Sequence, residues 1–366
     1  MSVLRWIAGA AVVLAAVAVG VLVVATGGAP RHPAPDRGFP TTTTAAAPPR
    51  VSPPAGLPPL RCPHPTVVVH DGGQLQASLS AAAPGAVIRM APGVYRGGFD
   101  ATGSGTHRRP IWLCGGPRAI IDVLGAGPTT SSAAGTYGLH LDGARWWRLV
   151  GFAVRNAAKG VVLDGSDHDV LYRITVYDIG DEAIHLRRFS SWDVVEGCVV
   201  RDTGLLDPTY GEGVYVGTAH SNWASDTDGR ADASDRDSVR WCDIARTTAE
   251  SVDIKEGTAD GVVADNRFDG TGMAASAATS WVNVKGSDYL IEDNAGAVSP
   301  EDGFSAHQVA AGTGTGNEFV DNRVMGAVPG YGVFVDAPET VVACSTGGAG
   351  AKGLSNQPCV EAPPSR

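Results

Sequence analysis

Short stretches along the chain repeat one alternating template: an acid or other non-aliphatic residue first, apolar residues third and fifth, and outward-facing residues fourth and sixth. Glu182-Ala-Ile-His-Leu-Arg187, Glu212-Gly-Val-Tyr-Val-Gly217 and Glu250-Ser-Val-Asp-Ile-Lys255 carry it most fully. Tyr137–Asp142, Lys159–Asp164, Ser280–Lys285, Asp302–His307 and Tyr331–Asp336 follow it with other first residues. Alternation over so few residues predicts short strands. Their recurrence every 22 to 38 residues or so, among Gly, Asp and Asn turns, predicts an all-β solenoid whose coils bury their apolar edges only against neighbours. Leu139, Val161, Ile184, Val214, Val252, Val282, Phe304 and Val333 should then form one interior stack.

Other segments fit one elongated domain over residues 61–348, followed by a tail over 349–366. Gln74–Ala83 places Leu75 and Leu79 at helical spacing, which suits a short helix covering the open end of the first coil. Asp265-Asn266, Asp293-Asn294 and Asp321-Asn322 lie 28 residues apart, as expected if asparagines stack in one turn and bond along the coil axis. Trp146, Trp147, Trp241 and Trp281 are read as packing residues more than as a sugar platform.

The N-terminus reads differently. Trp6–Ala25 is uncharged and long enough to cross a bilayer. Residues 1–27 are read as a retained membrane anchor or a signal segment, and 28–60 as an extended Pro/Ala/Thr-rich stalk outside the membrane. This places the solenoid on the extracytoplasmic side, or makes it secreted if the segment is cleaved. Six cysteines lack zinc-site spacing. Disulfides Cys62–Cys114 and Cys344–Cys359 would staple the two ends, with Cys198 and Cys242 paired or buried as thiols. A formal charge of -10 argues against generic nucleic-acid binding.

The helix, the APGVY stretch at Ala91–Tyr95 and the irregular repeats together resemble the right-handed parallel β-helix proteins of the pectin-lyase-like superfamily. The resemblance implies a right-handed parallel β-helix with an N-terminal capping helix, here preceded by a transmembrane helix and stalk.

Stacking the coils about 4.8 Å apart turns sequence register into columns. The sixth position gives Asp142, Asp164, Arg187, Gly217, Lys255, Lys285, His307 and Asp336. The fourth gives His140, Val162, His185, Tyr215, Asp253, Asn283, Ser305 and Phe334. The first puts Glu182, Glu212 and Glu250 on successive coils. These acids are read either as calcium ligands or as caps for backbone N–H groups at the strand starts. Strict alternation points the first position inward, so the corner must break parity for either role. The Asp-rich loop Ser225–Asp237 is read as a solvated insertion.

The cations carry the chemistry. Abstracting a proton next to a uronate carboxylate needs a base and a neutralising cation. Two ammonium groups one coil apart repel by roughly 3 kcal/mol at an effective dielectric near 20, which would lower one pKa. Gly217 leaves a gap where a sugar ring could approach. The stretch AESVDIKEG is similar to the motif of the alginate and chondroitin lyases of polysaccharide lyase family six. That resemblance implies Lys255 as base, Glu250 as calcium ligand and Lys285 in place of a catalytic arginine, with Thr248 where that family has a further glutamate. The expected site is therefore Lys255, Lys285 and Arg187 for catalysis, His185, Tyr215, Asp253, Asn283 and His307 for substrate, and Glu182, Glu212 and Glu250 for calcium. The leading expectation is eliminative cleavage of an acidic, uronate-containing polysaccharide. A non-catalytic carbohydrate-binding or surface protein, and a hydrolase using paired carboxylates, are the alternatives.

Overall fold

The structure is a computed structural model and describes residues 59–125, 127 and 135–361. The anchor expected within residues 1–27, and the stalk up to residue 58, lie outside the described residues. Among the described residues no helix is long and apolar enough to cross a membrane.

Strands of at most six residues wind into a parallel β-helix. Successive coils contribute strands to three sheets of 11, 10 and 9 strands. Short strands suffice here because each residue pairs with a coil above and a coil below, so a continuous ladder replaces strand length.

The ten-stranded sheet carries the template. Its register pairs Leu139 with Val161, then Ile184, Val214, Val252, Val282, Phe304 and Val333 in turn, and all eight are fully buried. The interior stack expected from alternation is thus present coil by coil. Where the barrel must hold a larger group, a glycine makes room: a Cβ on Gly296 would run into the Trp281 ring. Trp281 is fully buried and donates its Nε1–H to the Val298 carbonyl at 2.7 Å.

The asparagine stack also forms. Asn266 Nδ2 donates to Asn294 Oδ1 at 2.9 Å and to the Val239 carbonyl at 2.8 Å, and Asn294 repeats this toward Asn322 and Val263. Cys198 and Cys242 precede strands paired in the same sheet, and their thiols reach the Leu171 and Val195 carbonyls. They are buried free thiols in this slot. A second ladder does not follow from the repeat template. Asp169, Asp193 and Asp237 each accept a backbone N–H from the preceding coil, at Trp147, Asp169 and Asp193, at 2.6 to 2.8 Å. The sequence signal is an aspartate just ahead of each short strand, in Asp169-Val, Asp193-Val and Asp237-Ser.

Helix Gly72–Ser80 packs on the first-coil strands Val67–Val69, Val87–Met90, Gly93–Arg96 and Phe99–Ala101. It buries Leu75 and Leu79, and its N-cap Asp71 accepts from Gln74 N at 2.8 Å. Disulfides join Cys62 to Cys114 and Cys344 to Cys359. Strand pairing continues past residue 348, where Gly353–Ser355 adds to Tyr331–Asp336.

The Ser225–Asp237 loop is more than a solvated insertion. Asp232 is buried and accepts from Arg188 N, Phe189 N, Thr218 Oγ1 and Ser234 Oγ, while Asp237 belongs to the aspartate ladder. Burial selects the loop acids that can cap backbone groups and leaves Asp228 outside.

Candidate active site

The outer face of the ten-stranded sheet is covered rather than open. His185, Tyr215, Asp253 and Asn283 stand in register on successive coils, as the alternation predicts, yet all four are buried. Lys255 and Lys285 follow their strands in ladder register, their backbone N–H groups bonding to Val216 and Ile254. Their side chains keep 15% and 14% of their surface exposed, more than the 2% of the Asp253 side chain they share.

Asp253 lies beneath them and is shared. One carboxylate oxygen meets Lys255 Nζ at 2.6 Å and the other meets Lys285 Nζ. Burial opposes its charge, but the two lysines hold Asp253 below the usual carboxylate range. This corrects the expectation that the lysines repel each other and lower a pKa. Burial does act downward on Lys255, yet Asp253, with Tyr215 and Glu212, holds its ammonium well above the ordinary range. An anion inserted between two cations outweighs their mutual repulsion.

Tyr215 stands between two neighbours. Lys255 Nζ lies 4.6 Å from its ring centroid, and the His185 ring packs edge-on at 4.3 Å on the other side. Burial, reinforced by Asp253 and Glu212 against the opposing effect of Lys255, raises the phenol. His185 donates Nε2–H to the Gly217 carbonyl at 3.0 Å. Burial, with Arg187 and Lys159 nearby, keeps this imidazole neutral. Gly217 is not an open gap. A Cβ there would meet Thr258 Cγ2 at 2.5 Å and Lys255 Cβ at 3.3 Å, and its φ is +85°. Glycine lets the Lys255 stem lie across the chain.

The first-position acids do break parity. The strands start at Val214 and Val252, after a bend, so Glu212 and Glu250 swing to the outer face. Glu212, Glu250 and Asp253 offer oxygens within 4.8 Å of one another, a group able to hold a metal ion. Burial first, then Asp253, pushes both glutamates above their ordinary range. Glu182 does not join them; it pairs with Lys159 and lies 3.6 Å from His185 Nδ1. Asp253 takes the place expected for Glu182, because the fourth position reaches the centre of the face directly. Arg187 is also committed elsewhere: it forks onto Asp164 at 2.6 and 3.1 Å, with Tyr137 OH at 3.3 Å. His140 completes that cluster, 3.0 Å from Asp164. His307 lies one coil beyond Lys285, half-buried, against Phe334.

No protein-family model and no curated protein matches the chain. Among solved structures, the alginate lyase from Paenibacillus sp. str. FPU-7 is 31% identical with a TM-score of 0.72, over 81% of this chain and 100% of that one. The chain belongs to the family of this alginate lyase, within the pectin-lyase-like β-helix superfamily. Pectate lyase Pel9A (12% identity, TM-score 0.52, 82% of each chain) shares the fold. So does PfbA, a surface adhesin of Streptococcus pneumoniae (10%, 0.51, 78% of this chain and 89% of that one). The pectin-lyase-like fold thus serves an adhesin as well as lyases, and function must be argued from the site.

In this family member the donors suit calcium poorly. Calcium takes six to eight oxygens, but both Asp253 oxygens face ammonium groups, and Glu250 accepts from Asn283 Nδ2 at 3.0 Å. Glu212 Oε2 and Asn283 Oδ1 are buried without a partner among the described residues. With Asp253 shared between two ammonium groups, the cluster falls short of a calcium shell, and the two lysines already supply positive charge.

Proposed function

We propose that the chain is a polysaccharide lyase that cleaves a uronate-containing polymer of the alginate type by β-elimination, with Tyr215 and Lys255 as its proton-transfer pair. The observation that carries this reading is the Lys255–Asp253–Lys285 bridge beside Tyr215, in a chain related over its full matched length to an alginate lyase. A uronate carboxylate meets the two lysine ammonium groups, which neutralise the charge that develops as its α-proton leaves. The C5–H and C4–O4 bonds break, a C4=C5 double bond forms, one member of the pair takes the proton and the other protonates the departing oxygen.

The resting pair, a phenol and an ammonium, holds one proton too many for this exchange. The active form has lost one, as phenolate with ammonium or phenol with amine, and is restored after each cycle by transfer within the pair. Lys285 stays on the carboxylate, and His185 fixes the face of Tyr215. Arg187, held by Asp164, shapes the neighbouring wall instead of binding a sugar freely.

A paired-carboxylate hydrolase fits less well. Glu212 and Asp253 have pKa values pushed in opposite directions, as such a mechanism wants, but both are buried and Asp253 is held between two ammonium groups. The two disulfides support an oxidising compartment, consistent with action outside the cytoplasm and with the membrane anchor proposed from residues 6–25. The deciding assay incubates the protein with alginate and other polyuronates, with and without chelator. Unsaturated, ultraviolet-absorbing ends are expected in both cases; new reducing ends without that absorbance would make it a hydrolase, and binding without cleavage an adhesin-like protein.

A further inference from the structure

Three coils beyond Lys255, about 14 Å along the axis at 4.8 Å per coil, the same face of the sheet holds a second recess. Tyr331, Phe334, His307 and Lys352 line it, with Asp302, Thr279 and, exposed at the edge, Glu301. It lies on the same columns as the central site: Asp253, Asn283, Ser305 and Phe334 are in consecutive register, and His307 follows Lys285. We propose that this recess is a distal subsite holding one pyranose unit of the acidic polysaccharide, so that the chain is gripped well away from the bond that breaks. The inference rests on the eliminative reading for its substrate class, but on its own residues for its chemistry.

The lining has the parts that a sugar ring needs. Tyr331 and Phe334 have ring centroids 6.3 Å apart and half-buried faces, and His307 packs on Phe334 at 5.6 Å. Together they offer apolar surface to the ring hydrogens. Thr279 lines the recess beside them, and its Oγ1 meets no partner among the described residues. Asp302 is fixed by accepting Tyr331 N at 2.6 Å, and so presents an oriented carboxyl edge. Lys352 is exposed at the mouth, its Nζ 5.8 Å from the Tyr331 centroid, placed to meet a uronate carboxylate.

Binding of oligouronates from dimer to octamer, measured by calorimetry, tests this directly. Tyr215→Phe serves as the non-cleaving background, and Lys352→Met and Phe334→Leu are added to it. Loss of roughly tenfold in affinity for long oligomers, with short ones unaffected, is expected of both additions. Equal effects on short and long oligomers, or none, would overturn the subsite. The eliminative reading fails separately, if the wild type yields no unsaturated ends. Even then, oligouronate binding that depends on Lys352 keeps the recess as a sugar site, and its absence removes it.

Discussion

Two groups of buried carboxyls stand on different sheets of the β-helix, and their proton affinities are shifted in opposite directions. On the outer face Asp253 is 1% exposed yet held as a carboxylate, because each of its oxygens faces a lysine. In the ladder, Asp169, Asp193 and Asp237 are as deeply buried, and no cation bridges them. Each spends Oδ1 on a backbone N–H, while Oδ2 is unpartnered among the described residues. Burial first, then the neighbouring aspartates, Asp167, Asp232 and Asp235, pushes the ladder carboxyls well above the ordinary range, with only distant help from Arg148 and Arg145. Equal burial therefore gives shifts of opposite sign, and the deciding factor is a paired cation.

The largest break in this comparison comes at Lys255. Lys255→Ala should cut turnover by about 10²- to 10⁴-fold, and it should also lower the melting temperature, because Asp253 loses one of two cations. Strand alternation alone makes Lys255 an outward, solvated side chain and so predicts almost no change in melting. Adding Asp253→Asn to Lys255→Ala should recover part of the stability and none of the activity; full recovery of turnover would remove Lys255 from the chemistry.

Exchanging the two kinds of ladder is the next test. Asn294→Asp places a carboxyl where Nδ2 now donates to Val263 and Asn322. A cost of about 1–3 kcal/mol for the lost buried donors is expected at neutral pH, shrinking on acidification in a denaturant melt. Asp193→Asn should do the reverse and stabilise by about 1–2 kcal/mol at neutral and alkaline pH.

The pH profiles sharpen the contrast. A ladder carboxyl has a folded pKa above its unfolded value of about 3.9, so its stabilisation is complete below that value and is lost as pH rises through the folded pKa. Asp253 is lowered, so its contribution is present above the unfolded value and lost as pH falls through its folded pKa. Stability measured against pH should therefore lose part of its decline with rising pH in Asp193→Asn and part of its acid decline in Asp253→Asn. For activity the order is set by the raised Tyr215 and Lys255: turnover should climb from neutral to alkaline pH as the pair loses its extra proton. A profile falling over that range would contradict the pair.

The smallest effect is expected from chelation. With lysines serving Asp253, chelator should leave melting and turnover unchanged, whereas a drop that Glu250→Gln abolishes would restore calcium to the cluster.

Much of this architecture is legible in the amino-acid order, and for a definite reason. In a parallel solenoid the partner of each residue sits one coil away at the same template position, so alternation along the chain gives inside and outside directly, from Leu139 to Val333. The asparagine ladder and the end disulfides are readable for the same reason, since a coil-to-coil repeat converts spacing into contact. Depth and charge are decided by the tertiary structure alone. No local pattern says that the outward residues of this face are buried, that Asp253 lies between two lysines, that Glu212 and Glu250 swing outward at a bend while Glu182 turns to Lys159, or that three aspartates are buried without a bridging cation among the described residues. Those outcomes depend on what approaches across the sheet, and a pKa follows from that environment, not from the order of residues along one strand.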